Sequence, residues 1–401
     1  LGFFICKDTI ILSVLLNSAL KADSYPSLKK PFTAPQQYSK TETIFRLVIL
    51  FIVFLVFLSA LELIMNAAKQ LGTGLTQYLF TLTFNPIISI FIGVLLTAVL
   101  QSSSTITSGM VALVASGAVS LENAVPVVIG ANIGTTLTAT MVSFANFSSK
   151  KEFRKGFVTA CEHAFFNLLT ALILVPIEWQ FGLLSKLASS LSGIISGAIG
   201  EETWTRFLFS GLVRPFTLML DEYMLTQPWL ILGASVFTLF VSIQVFTGIL
   251  KGLVITPKWE KRKAAMFDNP YKAMITGIGL TAAIHSSSVV TSLVTMLAAS
   301  NKIAARKVFP ILLGANLGTT FTAFFASISR SEAAIALALT HVFFNLFGVL
   351  LFAPFSPLKD IPVYLSKRLA SLTVSNRLYA LVYLLSLYFV LPFLVIYLLE
   401  I

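Results

Sequence analysis

Gln101-Ser102-Ser103-Ser104 is written a second time as His285-Ser286-Ser287-Ser288, and Gly130-Ala131-Asn132-Ile133-Gly134-Thr135-Thr136 returns as Gly314-Ala315-Asn316-Leu317-Gly318-Thr319-Thr320. The two offsets, 285 minus 101 and 314 minus 130, are both 184. A third pair, His163-Ala164-Phe165-Phe166-Asn167-Leu168 and His341-Val342-Phe343-Phe344-Asn345-Leu346, falls six residues short of that offset, which places the length difference in residues 146–155. Hydroxyl-rich tetrapeptides duplicated inside apolar sequence predict two half-sites around one polar solute.

The surrounding chain is built for lipid. Hydrophobic residues make up 56% of it and charged residues 11%, and its mean hydropathy is +0.88. That is too little charge to clothe a water-soluble globule of this size, so the fold class is an all-α polytopic membrane protein embedded in a lipid bilayer. The net charge of +11 would point to nucleic acid in a soluble protein. Here the basic residues cluster between apolar runs, as positive-inside topology requires, and no nucleic-acid partner is expected. Cys6 and Cys161 stand far apart and form neither a disulfide framework nor a metal motif. No feature of the sequence specifies an oligomeric state.

Residues 43–68, 121–145, 157–179, 228–254, 304–328, 332–354 and 378–399 are each long enough to cross. Residues 87–100 are not: the stretch spans roughly 21 Å as a helix against a hydrocarbon core of roughly 30 Å. It must stop partway, making the Ser triplet the tip of a re-entrant hairpin with residues 105–117 as its second arm. Residues 273–284 and 289–299 repeat the arrangement. The chain then divides into an N-terminal segment, interfacial or signal-like (1–42), a first transmembrane repeat (43–179), an outer connection of interfacial helices (180–227), a second repeat (228–354), and an interfacial segment with a final span (355–401). Three crossings between the hairpins make the repeats inverted. Lys150, Lys151, Arg154 and Lys155 then share a face with Lys251, Lys258, Lys261, Arg262 and Lys263, and with Lys359, Lys367 and Arg368, which marks that face as cytoplasmic.

A helix that ends in mid-membrane leaves backbone N–H groups without partners, and these groups with the helix dipole attract an anion. Six hydroxyls from Ser102, Ser103, Ser104, Ser286, Ser287 and Ser288, the Gln101 amide, His285 and two helix N-termini offer donors without a permanent cation, a set suited to a tetrahedral oxyanion such as hydrogen phosphate. Close helix packing by small residues is the competing reading. Gly130, Gly134, Gly314 and Gly318 fall in mid-span, where glycine weakens a helix and frees carbonyls, so each repeat is expected to carry a discontinuous transmembrane helix. Asn132, Thr135, Thr136 and Thr138, with Asn316, Thr319, Thr320 and Thr322, supply the neutral oxygens that a hard monovalent cation such as sodium accepts; packing alone again competes. Glu62, inside the first span, with Glu162, His163 and His341 near span ends, are candidate coupling groups. No catalytic residue and no organic cofactor are expected.

These motifs resemble the type II sodium-dependent phosphate cotransporters over residues 43–399: the paired QSSS tetrapeptides, the paired GxNxGT segments, the Phe-Asn that follows each His, and Pro215-Phe216-Thr217 before Leu220-Asp221-Glu222. The resemblance implies sodium-coupled import of phosphate by alternating access in a plasma membrane, the bacterial inner membrane, with both tetrapeptides in the substrate site. It assigns sodium to His285, Ser286, Asn316, Thr319 and Thr322. His285 stands where the family has Gln, giving that half-site a group of ordinary pKa about 6.5. Ala164 stands where electrogenic members carry an acid, which implies a lower sodium stoichiometry. The absence of a long cysteine-bearing outer loop and of a domain after Leu399 fits a bacterial-type member. Rival readings are a carrier of sulfate or a dicarboxylate, an intramembrane serine hydrolase using His163 or His341 as base, and an ion channel.

Overall fold

The computed structural model describes residues 38–199, 213–214, 217, 227–254, 269–300, 303, 305–328, 331–353 and 357–400. The expected N-terminal segment up to residue 37, half of the outer connection, including Pro215-Phe216 and Leu220-Asp221-Glu222, and the basic residues Lys258, Lys261, Arg262 and Lys263 lie outside the described residues.

Helix α1 (Lys40–Thr83) opens with a capping box, in which Ser39 Oγ accepts from Glu42 N at 3.2 Å and the Glu42 carboxylate accepts from Ser39 N at 2.8 Å. Its path is interrupted at Gly72 (φ 59°, ψ −138°), a conformation glycine reaches without a Cβ penalty. A 98° bend follows between Gln77–Thr83 and Pro86–Leu100. There Asn85 caps α2 (Pro86–Leu100) and Pro86 occupies its first turn, where no N–H is needed. The chain then reverses into α3 (Ser103–Ser116), crosses as α4 (Leu121–Gly134) and α5 (Thr136–Ser143), and returns as α6 (Lys150–Phe181).

The second copy repeats this order. Helix α8 (Pro228–Val254) stands for α1, α9 (Pro270–Ile284) and α10 (Ser287–Ala299) for the hairpin, α11 (Ala305–Ser327) for α4 and α5, and α12 (Glu332–Phe352) for α6. Between the copies α7 (Leu183–Ile199) lays Ala188 against Ile335, Ala336 and Leu339 of α12 while Leu187 and Ile194 stay exposed, the two-faced character expected of an interfacial helix. After the copies come α13 (Asp360–Ser375), α14 (Leu378–Leu385), a π-helical turn (Ser386–Val390) and α15 (Leu391–Glu400).

Among the described residues seven helices are long and apolar enough to cross a membrane, at Lys40–Gly72, Leu121–Asn146, Lys150–Phe181, Pro228–Leu250, Lys307–Ser327, Glu332–Phe352 and Leu378–Leu399. They overlie the seven expected spans. The hairpin arms α2, α3, α9 and α10, at 15, 14, 15 and 13 residues, are too short to do so. Three spans separate the hairpins among the described residues, an odd number, as inverted copies require.

Each hairpin's first arm lies on the following span of its own copy, α2 on α4 and α9 on α11; the second arms cross over, α3 to α11 and α12, α10 to α5 and α6. The glycines make the first contact possible. A β-carbon on Gly130 would stand 1.9 Å from the Ile90 carbonyl oxygen, and one on Gly314 2.0 Å from that of Met274. Gly93 and Gly277 face back the same way, 2.1 Å from Val127 O and 2.3 Å from Ile311 O. This corrects the expectation that Gly130, Gly134, Gly314 and Gly318 unwind their spans. Helix α11 runs without interruption through Gly314 and Gly318, and the first copy breaks only at Thr135, which keeps helical dihedrals (φ −54°, ψ −29°). The glycines serve backbone-to-backbone packing, which demands a wound helix on both sides.

Gly130→Ala and Gly314→Ala should therefore force two backbones apart and destabilise by roughly 1–3 kcal/mol or more. Gly279→Ala, with nothing within 4 Å of its added carbon, should be tolerated. Thermal unfolding of the three variants in detergent measures the difference.

Candidate functional site

Gln101 (φ 51°) and His285 (φ 56°) are the only non-glycine residues with positive φ among the described residues. Each ends a first arm in the left-handed region, a conformation costing roughly 1–2 kcal/mol for a residue with a side chain. The next residue, Ser102 or Ser286, is extended (φ −148° and −152°) and caps the second arm. Ser102 Oγ accepts from Thr105 N at 3.3 Å and pairs with Thr105 Oγ1 at 2.8 Å; Ser286 Oγ accepts from Val289 N at 3.4 Å. The caps satisfy the third amide of each helix. Those of Ser103, Ser104, Ser287 and Ser288 have no partner within the helix, and they open each N-terminus towards an anion. Ser103, Ser104 and Ser287 are buried, so such an anion would be held away from bulk water.

The two tips differ in how they are tied down. In the second copy Ser287 Oγ donates to Thr319 Oγ1 at 3.3 Å and His285 Nδ1 lies 3.2 Å from Thr322 Oγ1. In the first, the Gln101 side chain is exposed and its Nε2 meets Met141 Sδ at 3.8 Å, so the amide does not join the serines. The His285 ring packs on Phe246 and Phe325, with centroids 5.4 and 5.5 Å away. It borders a cavity of about 340 Å³ whose other walls include Leu47, Phe51, Phe54 and Ile243.

The expected cation ligands fall into two groups. Thr135 donates to Ala131 O (2.9 Å), Thr136 to Ile133 O (2.8 Å) and Thr320 to Leu317 O (2.8 Å), each turned back on its own helix. Thr319 and Thr322 instead face the second hairpin. Asn132 and Asn316 sit in a buried network that joins the copies reciprocally: His163 Nε2 donates to Asn316 Oδ1 (2.7 Å), and His341 Nε2 to Asn132 Oδ1 (3.1 Å). Both protons of Asn316 Nδ2 are used, by Asn167 Oδ1 (2.5 Å) and Asn345 Oδ1 (3.0 Å). Asn167 Nδ2 donates to the Asn132 carbonyl at 3.0 Å, beside the helix break, and Asn345 Nδ2 to the His341 carbonyl at 3.2 Å. His163 and His341 thus brace the GxNxGT segment of the opposite copy.

Of the other coupling candidates, Glu62 is partly buried on α1. Glu162 is buried beside His163, its Oε2 without a hydrogen bond among the described residues. Asn167 and Asn345 were not expected in the site, although the repeated Phe-Asn after each His carried the signal. Tyr388 carried none: it lies outside the repeats, fully buried, its hydroxyl 2.5 Å from Thr136 Oγ1.

A family model described as Na+/Pi-cotransporter matches the chain twice, over residues 56–172 and 238–353, together more than half its length. The chain belongs to the Na+/Pi-cotransporter family. The two matched segments each hold one hairpin, one GxNxGT span and one His-Asn helix, so the family pattern is the repeat itself. Among similar proteins, sodium-dependent phosphate transport protein 2A of Mus musculus is 27% identical over 84% of this chain and 65% of its own length. Protein 2B of Homo sapiens is 26% identical over 86% of the chain and 64% of its own length, and protein 2A of Rattus norvegicus 28% identical over 84% and 65%. The chain thus spans just under two thirds of these relatives. No solved structure matches it. Membership in a transporter family also sets aside the serine hydrolase, whose candidate bases His163 and His341 are bonded to asparagines rather than to a serine.

The network predicts an order of stabilities. Asn316→Leu strands His163 Nε2–H, Asn167 Oδ1 and Asn345 Oδ1, at about 1–3 kcal/mol for each buried unpaired group. Asn132→Leu strands only the His341 donor and removes an Nδ2 that lacks a hydrogen bond among the described residues. Asn316→Leu should lower the unfolding midpoint in detergent clearly more than Asn132→Leu.

Proposed function

We propose that this chain is a sodium-coupled importer of inorganic phosphate in a bacterial inner membrane, binding the anion between its two hairpin tips. The observation that carries the reading is the pair of matched tips, Gln101 and His285 left-handed and each followed by a capping serine, which presents two helix N-termini among buried hydroxyls. The named relatives are sodium-dependent phosphate transport proteins, in keeping with this chemistry.

Hydrogen phosphate is doubly charged, and its entry against a negative-inside potential costs about 2.3 kcal/mol per charge per 100 mV. Coupling must supply that energy. Two sodium ions cancel the charge and add their own gradient. The Ser287, Thr319 and Thr322 hydroxyls, gathered where the second tip meets α11, are the neutral oxygens best placed to receive sodium. Anion and cation would then share the second tip, so that each favours the other's binding. The His163–Asn316 and His341–Asn132 bonds pin the two copies through their buried centre, which favours alternating access by movement of the hairpins over rocking of whole repeats.

Labelled-phosphate uptake into proteoliposomes should saturate and require an inward sodium gradient that potassium does not replace. Ser103→Ala and Ser287→Ala should each weaken apparent phosphate affinity roughly 10- to 100-fold, since a hydrogen bond to a charged group contributes about 1.5–3 kcal/mol. Inhibition by sulfate or a dicarboxylate as strong as by unlabelled phosphate would favour the other oxyanion carriers instead.

A further inference from the structure

The two copies differ in what meets the threonine after each GxNxG, and the difference lies in a residue that neither copy contains. The last span is interrupted by the π-helical turn Ser386–Val390, and π-bulges are concentrated at functional positions because they re-aim a side chain without ending the helix. Here the residue in the turn is Tyr388. It is wholly buried, and its hydroxyl lies 2.5 Å from Thr136 Oγ1. The direction of that bond follows from the other bond Thr136 makes. The Thr136 proton goes to Ile133 O at 2.8 Å, so Tyr388 donates and Thr136 accepts.

Thr136 sits immediately after the single break in the first copy's span, with Thr140 and Ser143 equally buried beyond it on the same helix. This run of neutral oxygens is what a monovalent cation would use. The phenol stands against it and takes one of the two accepting lone pairs of Thr136, so that a cation approaching that oxygen would meet the Tyr388 proton and ring. In the second copy the corresponding residue is Thr320, whose hydroxyl donates to Leu317 O, and no phenol meets it among the described residues. Phe324 replaces Thr140 there. The first hairpin is also without a bridge like Ser287–Thr319 to its own GxNxGT span among the described residues.

We propose that Tyr388 closes the first copy to the coupling cation, so that sodium enters only at the second copy. The last span thereby sets the number of ions moved per phosphate. The proposal rests on the cotransport reading above. Tyr388 acts through Thr136 and is a positioning residue, so the test must read ion number and not only rate.

Radioactive sodium and phosphate fluxes, with the accompanying current, should be compared in proteoliposomes of the wild type, Tyr388→Phe, and Tyr388→Phe with Thr136→Val. Removing the phenol hydroxyl should add one sodium ion, and one unit of charge, per phosphate. Adding Thr136→Val should restore the wild-type ratio by deleting the freed ligand. An unchanged or lower ratio in Tyr388→Phe, or an extra ion that survives Thr136→Val, would overturn the proposal. For a variant that reconstitutes poorly, equilibrium binding of radioactive sodium to the detergent-solubilised protein gives the same comparison, with the same three outcomes. A wild type that needs no sodium would overturn the cotransport reading, and this proposal with it.

Discussion

A helix that stops inside a membrane must find partners for its last carbonyls and first amides, and in this chain that requirement is met twice, by a left-handed residue followed by a capping serine. Gln101–Ser102 and His285–Ser286 satisfy part of each terminus with their own atoms. The two amides left over at each tip have no partner within their own helix, the arrangement on which the proposed anion site rests. Other features hold those tips in place. Glycine contacts at backbone distance seat α2 on α4 and α9 on α11, while the second arms reach across to the opposite copy.

The copies are tied by a reciprocal exchange, a histidine of each bonded to an asparagine of the other. Such a bond is neutral and buried, and it avoids the desolvation cost that an ion pair would carry in the same place. Around this symmetric centre the ends diverge. The second tip is bridged to α11 by two side-chain bonds, whereas the first copy's Thr136 is held by Tyr388 from outside the repeats. A doubly charged anion profits from two equivalent N-termini, and a cation needs only one nest of hydroxyls. A symmetric anion site and an asymmetric cation site, as proposed, are therefore compatible within a single duplicated fold.

Much of the fold was legible in the sequence because its signals are local. The seven spans follow from apolar length, and the hairpins from residues 87–100 being too short to cross. The tips follow from the duplicated tetrapeptides. The role of Gly130 and Gly314 was not legible. Whether a mid-span glycine frees a carbonyl or admits a neighbouring backbone depends on where α2 and α9 lie, which no local pattern records. The network around Asn316 was not legible for a similar reason: both its Nδ2 protons go to Asn167 and Asn345 and its Oδ1 accepts from His163, two of these partners about 150 positions away. Tyr388 has no counterpart in the repeat, so a comparison of the two copies passes over it.

The central claim is that two half-sites make one anion site, and the stoichiometry of phosphate binding tests it most directly. Calorimetric titration of the detergent-solubilised protein with phosphate, at saturating sodium, should give one phosphate per chain, and that single event should be lost or strongly weakened by Ser103→Ala and by Ser287→Ala alike. Two phosphates per chain, or one variant binding normally, would mean that the tips work separately and would contradict the account.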